Sequence, residues 1–211
     1  MSQLIACRST EGIVLGVDSK AVDLDAQGRE VHLTVERLFP LGPRAAVAVG
    51  GAPEGVEMAR ALSRFIAEEK LESIDEIYSA GLAFLSSRYN EFMRAICRDV
   101  PLDPLHHVHF ILAGVSGQDL ENPYKLYLVW TKKKRPQLDG EEILHAFTVP
   151  RRMALEYRLS KMAQRGASAE EVFKEVRSAM ESLTWYKEEV GPPYHFALIA
   201  KDGFRTLPFG G

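Results

Sequence analysis

Residues 1–20 read MSQLIACRSTEGIVLGVDSK, and this stretch decides the fold. We predict one strand over residues 3–9, a turn at residues 11–12, and a second strand over residues 13–17. The second strand is a nearly pure aliphatic run, which is typical of a strand that is buried on both faces. Residues 18–20 read Asp-Ser-Lys and therefore place a carboxylate, a hydroxyl and an ammonium group at the end of this buried strand.

Ser2 lies directly behind Met1, at the edge of the first predicted strand. If Met1 were removed, Ser2 would carry a hydroxyl and a free α-amine on one residue. An amine beside a hydroxyl can act as the base that activates a nucleophile. The simpler interpretation, from the residues alone, is an ordinary second residue that favours removal of the initiator methionine.

Composition limits the classes of function open to this chain. It has 211 residues, of which 46% are hydrophobic and 26% charged, with a net charge of −3. These values suit one globular domain over residues 1–211 and exclude the strongly basic surface of a nucleic-acid-binding protein. Its two cysteines, Cys7 and Cys97, cannot form a zinc site alone. No apolar run is long enough for a membrane helix and no secretory signal is present, so we expect a soluble cytoplasmic protein.

The rest of the chain divides into blocks of strands and pairs of helices. Apolar residues at helical spacing predict helices over residues 54–70, 73–98, 151–165 and 169–183. Short or alternating apolar runs predict strands at residues 31–35, 45–49, 107–115, 124–130, 142–149, 194–200 and 204–207. Because strand blocks and helix pairs are segregated, we predict an α+β fold, a four-layer αββα sandwich of two antiparallel sheets with a helix pair on each outer face.

Several motifs, in this order, resemble the β-type subunits of the proteasome, within the N-terminal-nucleophile hydrolase superfamily. GIVLGVDSK at residues 12–20 is similar to the strand-turn segment of that family, and VERLF at 35–39 resembles the segment that carries its active-site lysine. AVGG at 48–51, ahead of a predicted helix, resembles its glycine pair. Residues 110–127 and 194–203 resemble its central and last hairpins. The resemblance covers nearly the whole chain and implies the same αββα sandwich.

The resemblance implies a peptidase site built on Ser2, which stands where the family has its N-terminal threonine. Asp18 matches the aspartate that supports the site, and Gly51 matches the residue whose backbone N–H stabilises the oxyanion. Arg37 stands in place of the family's lysine. Arginine keeps the positive charge that would lower the pKa of a nearby amine, but it cannot exchange a proton.

Two further positions depart from the family's pattern. A gapless count back from Asp202 places Lys187 at the family's second aspartate and Val190 at the serine that follows it. A slip of one residue would place Glu188 at the acid instead. Residues 148–150, Thr-Val-Pro, replace a Gly-Ser-Gly turn that brings another hydroxyl to the site.

Three functions follow as hypotheses. The first is a peptidase subunit that cleaves peptides inside a homo-oligomeric ring, with the identity of any ATPase partner left open. The second is a non-catalytic homologue with a structural or binding role, and the third is a small-molecule amidase of the same superfamily. No cofactor is implied. His107 and His109 lie on one face of a predicted strand, but no nearby carboxylate or cysteine completes a ligand set, so no metal is predicted.

Overall fold

The structure is a computed structural model, and it describes residues 2–96, 106–132, 137–184 and 190–208. Along the chain these residues form β1 (Leu4–Arg8), β2 (Ile13–Asp18), β3 (Lys20–Leu24), β4 (Glu30–Thr34), β5 (Leu38–Pro40), β6 (Ala45–Gly51), α1 (Glu54–Glu69), α2 (Ile74–Ile96), β7 (Val108–Val115), β8 (Tyr124–Thr131), β9 (Leu138–Ile143), β10 (Ala146–Val149), α3 (Met153–Gln164), α4 (Ala169–Thr184), β11 (Tyr194–Ala200) and β12 (Gly203–Leu207). None of these helices is long and apolar enough to cross a membrane. The predicted α+β class is confirmed.

Two five-stranded antiparallel sheets form the centre of the fold. The first sheet has the strand order β10-β1-β2-β11-β12, and the second has the order β5-β6-β7-β8-β9. The strand predicted at residues 31–35 is present as β4, but β3 and the pairing of β3 with β4 in a separate two-stranded sheet were not predicted. All five residues of β4 are exposed, so this small sheet packs no continuous face against the cores.

Three apolar cores separate four layers. The first core lies between the helix pair α1–α2 and the second sheet, and Phe110 and Tyr89 are fully buried in it. The second core lies between the two large sheets, and the third lies between the first sheet and the helix pair α3–α4. Each fully buried Leu, Ile, Val or Phe side chain contributes about 1.5–3 kcal/mol to folding. The four layers agree with the predicted sandwich.

Strand β2 explains why the opening stretch decides the fold. All six of its residues are buried. Leu15 and Val17 lie in the core between the sheets, whereas Val14 lies in the core beneath α3 and α4. Because side chains alternate across a strand, only a strand with apolar residues on both faces fits between two cores. The prediction of a doubly buried strand at this position is therefore confirmed.

The turn between β1 and β2 is held against the last hairpin. The two strands pair from Leu4 opposite Val17 to Arg8 opposite Ile13, and the backbone N–H of Ser9 donates to the Gly12 carbonyl oxygen at 2.7 Å. A Cβ at Gly12 would lie 2.3 Å from the backbone oxygen of β11. Glycine therefore lets the turn approach the neighbouring strand closely.

The prediction of one strand over residues 142–149 is wrong. Residues 138–143 form β9, which pairs with β8 in the second sheet, and residues 146–149 form β10, which pairs with β1 in the first sheet. The chain therefore crosses from one sheet to the other between Ile143 and Ala146. The apolar pattern cannot reveal this crossing, since both segments read as strand. The crossing brings the residues after Phe147 beside Ser2.

Candidate active site

The Ser2 hydroxyl contacts the end of strand β6. Its side chain is buried, and the backbone N–H of Gly51 donates a hydrogen bond to Ser2 Oγ at 2.9 Å. Gly51 has a φ of +99°, and a Cβ there would lie 2.1 Å from the backbone oxygen of His107. Glycine is therefore required by both its conformation and its space, and this conformation aims the N–H at the hydroxyl.

Gly50 supplies the space that the hydroxyl occupies. A Cβ at Gly50 would lie 2.7 Å from Ser2 Oγ and 3.2 Å from Leu4 Cδ1. Gly50→Ala is expected to displace the hydroxyl from the Gly51 N–H and to lower any Ser2-dependent activity by about 100-fold, since small displacements of reacting groups have effects of that size. Fluorogenic peptide hydrolysis measures this loss.

Gly81→Ala is the matched control for Gly50→Ala. Gly81 lies in α2, and the nearest atoms to a Cβ there are 3.5 Å away. The substitution is therefore expected to leave activity unchanged and to raise the unfolding free energy by up to about 1 kcal/mol through helix propensity. Equal activity of Gly50→Ala and wild type would contradict the described position of the Ser2 hydroxyl.

Asp18 and Arg37 form a buried ion pair, and Asp18 also binds the backbone of Gln3, the residue that follows Ser2. Asp18 Oδ1 accepts a hydrogen bond from the backbone N–H of Gln3 at 2.7 Å, and Arg37 Nε lies 3.7 Å from the same oxygen. Burial raises the pKa of Asp18 to about 6, against the opposing effects of the Gln3 hydrogen bond and the Arg37 charge. Burial likewise lowers the pKa of Arg37, although Asp18 opposes the shift. The pair fixes the backbone that carries Ser2.

The raised pKa of Asp18 predicts a specific dependence of stability on pH. The folded state holds the proton more tightly than the unfolded state, so stability is highest below the ordinary pKa and falls as the pH rises through about 6. From pH 4 to pH 7, wild type should lose about 2 kcal/mol of unfolding free energy relative to Asp18→Asn, which mimics the protonated acid. Urea unfolding of both proteins across this range measures the difference. A constant difference, or one that changes in the other direction, would contradict the raised pKa.

A cavity of about 370 Å³ opens beside Ser2. It is lined by Ser2, Gly51, His107, His109 and residues 147–151. Its lining is largely apolar, because Phe147, Val149 and Pro150 supply much of the wall. A pocket of this size, with a hydroxyl and a backbone N–H at one end, has space for the substituents of a small acyl compound.

Glu156 holds the wall of this cavity in place. Its carboxylate accepts hydrogen bonds from the backbone N–H and the hydroxyl of Thr148, at 3.1 and 2.8 Å. Arg151 binds the same carboxylate with Nε at 2.9 Å and with a terminal nitrogen at 2.7 Å. The Thr148 hydroxyl is therefore committed to Glu156. Sequence reasoning missed Glu156, because a lone glutamate five residues after an arginine forms no motif.

A second cavity of about 530 Å³ also has Gly51 in its lining. Arg37 and Gly51 line it, together with charged side chains from the start of α1 and from the segment before β5. Two of these, Glu57 and Arg60, form an exposed ion pair at 2.7 Å. Gly51 thus lines both cavities, and a compound bound at Ser2 could extend its substituents into either of them.

The structure brings four of the five predicted site residues to the same end of the sheets. Ser2 contacts Gly51 directly, and Asp18 contacts Arg37 and the amide that follows Ser2. The fifth residue, Lys187, lies outside the described residues. His107 and His109 both line the cavity at Ser2. Within residues 2–96, 106–132, 137–184 and 190–208, no group of three or more potential metal ligands is close enough to hold an ion.

Comparison with known proteins identifies the fold. No protein-family model and no curated protein matches the chain. Among solved structures, it is similar to Anbu, an ancestral β-subunit from Yersinia bercovieri, with a TM-score of 0.68 and 14% sequence identity. The similarity covers 97% of this chain and 86% of that one. The chain therefore shares the layered α+β sandwich fold of that structure.

Proposed function

We propose that the protein is a proteasome-like peptidase subunit with Ser2 as its N-terminal nucleophile after Met1 is removed. One observation carries this proposal: the Ser2 hydroxyl lies 2.9 Å from the Gly51 N–H, at the mouth of a cavity. A buried hydroxyl beside a fixed backbone donor and a substrate-sized space meets the geometric needs of acyl transfer. The likeness of the fold to Anbu supports the same class of protein.

The proposed reaction begins with attack of Ser2 Oγ on a peptide carbonyl carbon. The free α-amine of Ser2 takes the hydroxyl proton; its unperturbed pKa of about 8 suits a base at neutral pH. The Gly51 N–H then donates to the oxygen on which negative charge develops. Collapse of this intermediate breaks the C–N bond, and the leaving amine receives the proton. Water hydrolyses the resulting ester and frees Ser2.

Asp18 and Arg37 support the proposed reaction by holding the backbone next to Ser2 in position. Asp18 fixes the Gln3 amide at 2.7 Å and thereby the position of the neighbouring seryl residue. The Arg37 guanidinium faces Asp18 and also donates to the Lys20 carbonyl oxygen at 3.3 Å. Because arginine stays protonated, its proposed role is to supply charge and position rather than to transfer a proton.

Mass spectrometry can test the nucleophile in two steps. The intact mass of protein from its native source should correspond to a chain without Met1. Incubation with a small β-lactone should then add one acyl group, and tandem mass spectrometry should place it on Ser2. Retention of Met1 in the native protein, or acylation elsewhere than Ser2, would overturn the proposal.

Assembly into a homo-oligomer is the second part of the proposal. It is supported by the proteasome-related fold, and the finer expectation of a closed ring comes from the resemblance of the motifs. Native mass spectrometry measures the number of subunits directly. A monomer or a dimer would instead favour the small-molecule amidase.

Arg37 favours one alternative, a non-catalytic homologue. It occupies the place of a proton-exchanging lysine and lies in a buried ion pair with Asp18. In a non-catalytic binding protein, the ion pair between Asp18 and Arg37 would serve only to stabilise the fold. Absence of Ser2 acylation in a chain that has lost Met1 would support this alternative.

A further inference from the structure

His109 projects from the second sheet towards Ser2. It lies directly opposite Gly50 in the antiparallel pair of β6 and β7. Opposite residues of a strand pair share one face of the sheet. Ile111 and Ala113, the next alternate residues on β7, lie in the core between the sheets. The His109 side chain therefore also points between the sheets, at the end where Ser2 begins the first sheet.

Gly50 leaves this space open. A Cβ at Gly50 would lie 2.7 Å from Ser2 Oγ, and the Cβ atoms of opposite residues in a strand pair are about 5 Å apart. The Cβ of His109 therefore lies within about 8 Å of the Ser2 hydroxyl oxygen. Ser2 and His109 both line the same 370 Å³ cavity.

The environment of His109 keeps its imidazole neutral. Burial, and secondarily the neighbouring His107, lower its pKa to about 4. Its Nδ1 is buried and has no hydrogen-bond partner among the described residues. Because a hydrogen on Nδ1 would find no hydrogen-bond acceptor there, we assign the ring hydrogen to Nε2. A neutral imidazole can donate a hydrogen bond from Nε2 without carrying charge.

We propose that His109 is a catalytic residue that donates its Nε2–H to the carbonyl oxygen of the substrate, as a second oxyanion donor beside the Gly51 N–H. This inference rests on the proposed function, since it needs acyl transfer to Ser2. It is supported by the position of His109 opposite Gly50 and by the cavity that it shares with Ser2.

The step balances without any further reactant. As Ser2 Oγ bonds to the carbonyl carbon, the π electrons move to the oxygen, and two N–H groups stabilise the negative charge. The α-amine holds the hydroxyl proton until the leaving amine takes it. His109 gains and loses no proton, and this agrees with a ring that is a weak base.

The rate of Ser2 acylation by a small β-lactone tests this role. Attack of Ser2 on the lactone carbonyl forms a tetrahedral oxyanion, as attack on a peptide carbonyl does. His109→Leu removes the donor and is expected to lower the rate by about 100- to 1,000-fold, the effect of deleting one oxyanion donor. His109→Gln retains an amide N–H and should stay within about 10-fold of wild type. His32→Leu, a control at an exposed strand histidine outside this cavity, should stay within about 3-fold of wild type.

Two further measurements separate a catalytic effect from a structural one. Thermal unfolding should show that each variant is folded, and His109→Ala replaces His109→Leu if the larger side chain prevents folding. The affinity of a peptide aldehyde, which forms a tetrahedral adduct with Ser2, should fall in parallel with the acylation rate.

The possible results distinguish failure of the role proposed for His109 from failure of the proposed function. If wild type is acylated at Ser2 and His109→Leu reacts at the same rate, the role of His109 is overturned while the proposed function stands. If His109→Gln is as slow as His109→Leu, a hydrogen-bond donor is not what the site needs, and the inference is again wrong. If wild type is not acylated at all, the proposed function fails and the inference fails with it.

Discussion

Ser2→Ala is expected to lower peptide hydrolysis by about 10⁴-fold or more, the size of the effect when a covalent nucleophile is removed. The hydroxyl is the group that accepts the Gly51 N–H at 2.9 Å, and no second hydroxyl from the cavity lining is free to replace it. The nearest candidate, Thr148, donates its hydroxyl hydrogen to Glu156 at 2.8 Å. Steady-state cleavage of fluorogenic peptides by wild type and variant measures the loss.

Two control variants make this result specific. Ser2→Thr keeps the hydroxyl and should keep activity within about 10-fold, since the reacting group is unchanged. Ser9 is also a buried serine of the first hairpin, and its hydroxyl donates to the Gly12 carbonyl oxygen at 2.9 Å. Ser9→Ala should cost about 1 kcal/mol of unfolding free energy without lowering activity. Undiminished hydrolysis by Ser2→Ala would show that the activity does not use this residue.

Gly51→Ala is expected to lower the free energy of unfolding by about 3 kcal/mol or more, the sum of a backbone and a packing effect. A φ of +99° is unfavourable for alanine. The added Cβ would also lie 2.1 Å from the His107 backbone oxygen, and backbone cannot move as a flexible side chain can. Relief of this contact would separate β6 from the segment that begins β7 and would turn the N–H away from Ser2.

Gly28→Ala separates the two parts of this effect. Gly28 also has a positive φ, +74°, but no atom lies within 4 Å of a Cβ there. Its replacement should cost only the backbone part, about 1 kcal/mol, and leave activity unchanged. Urea unfolding of both variants measures the difference. Equal losses for Gly28→Ala and Gly51→Ala would contradict the close approach of His107 to Gly51.

Most of the layered fold could be predicted because its signals are local. The aliphatic run of β2 and the apolar faces of four helices each lie within about twenty consecutive residues, so periodicity reveals them. The site residues Ser2, Asp18, Arg37 and Gly51 were found through resemblance, not through periodicity. The strand at residues 31–35 was predicted, whereas its partner β3 was missed because its five residues carry no extended apolar alternation. The crossing between β9 and β10 was missed because it changes sheet partner without changing the strand pattern.

Sequence alone determined the four helices and most of the strands of this protein, and that β2 is buried on both faces. Only the tertiary structure decided what surrounds Ser2. Gly51 and His109 are brought to it by the pairing of β6 with β7, and Thr148 by the pairing of β10 with β1. These residues lie tens to more than a hundred positions apart, so no local pattern relates them. Their meeting depends on how two sheets pack and register, which is a property of the whole folded chain.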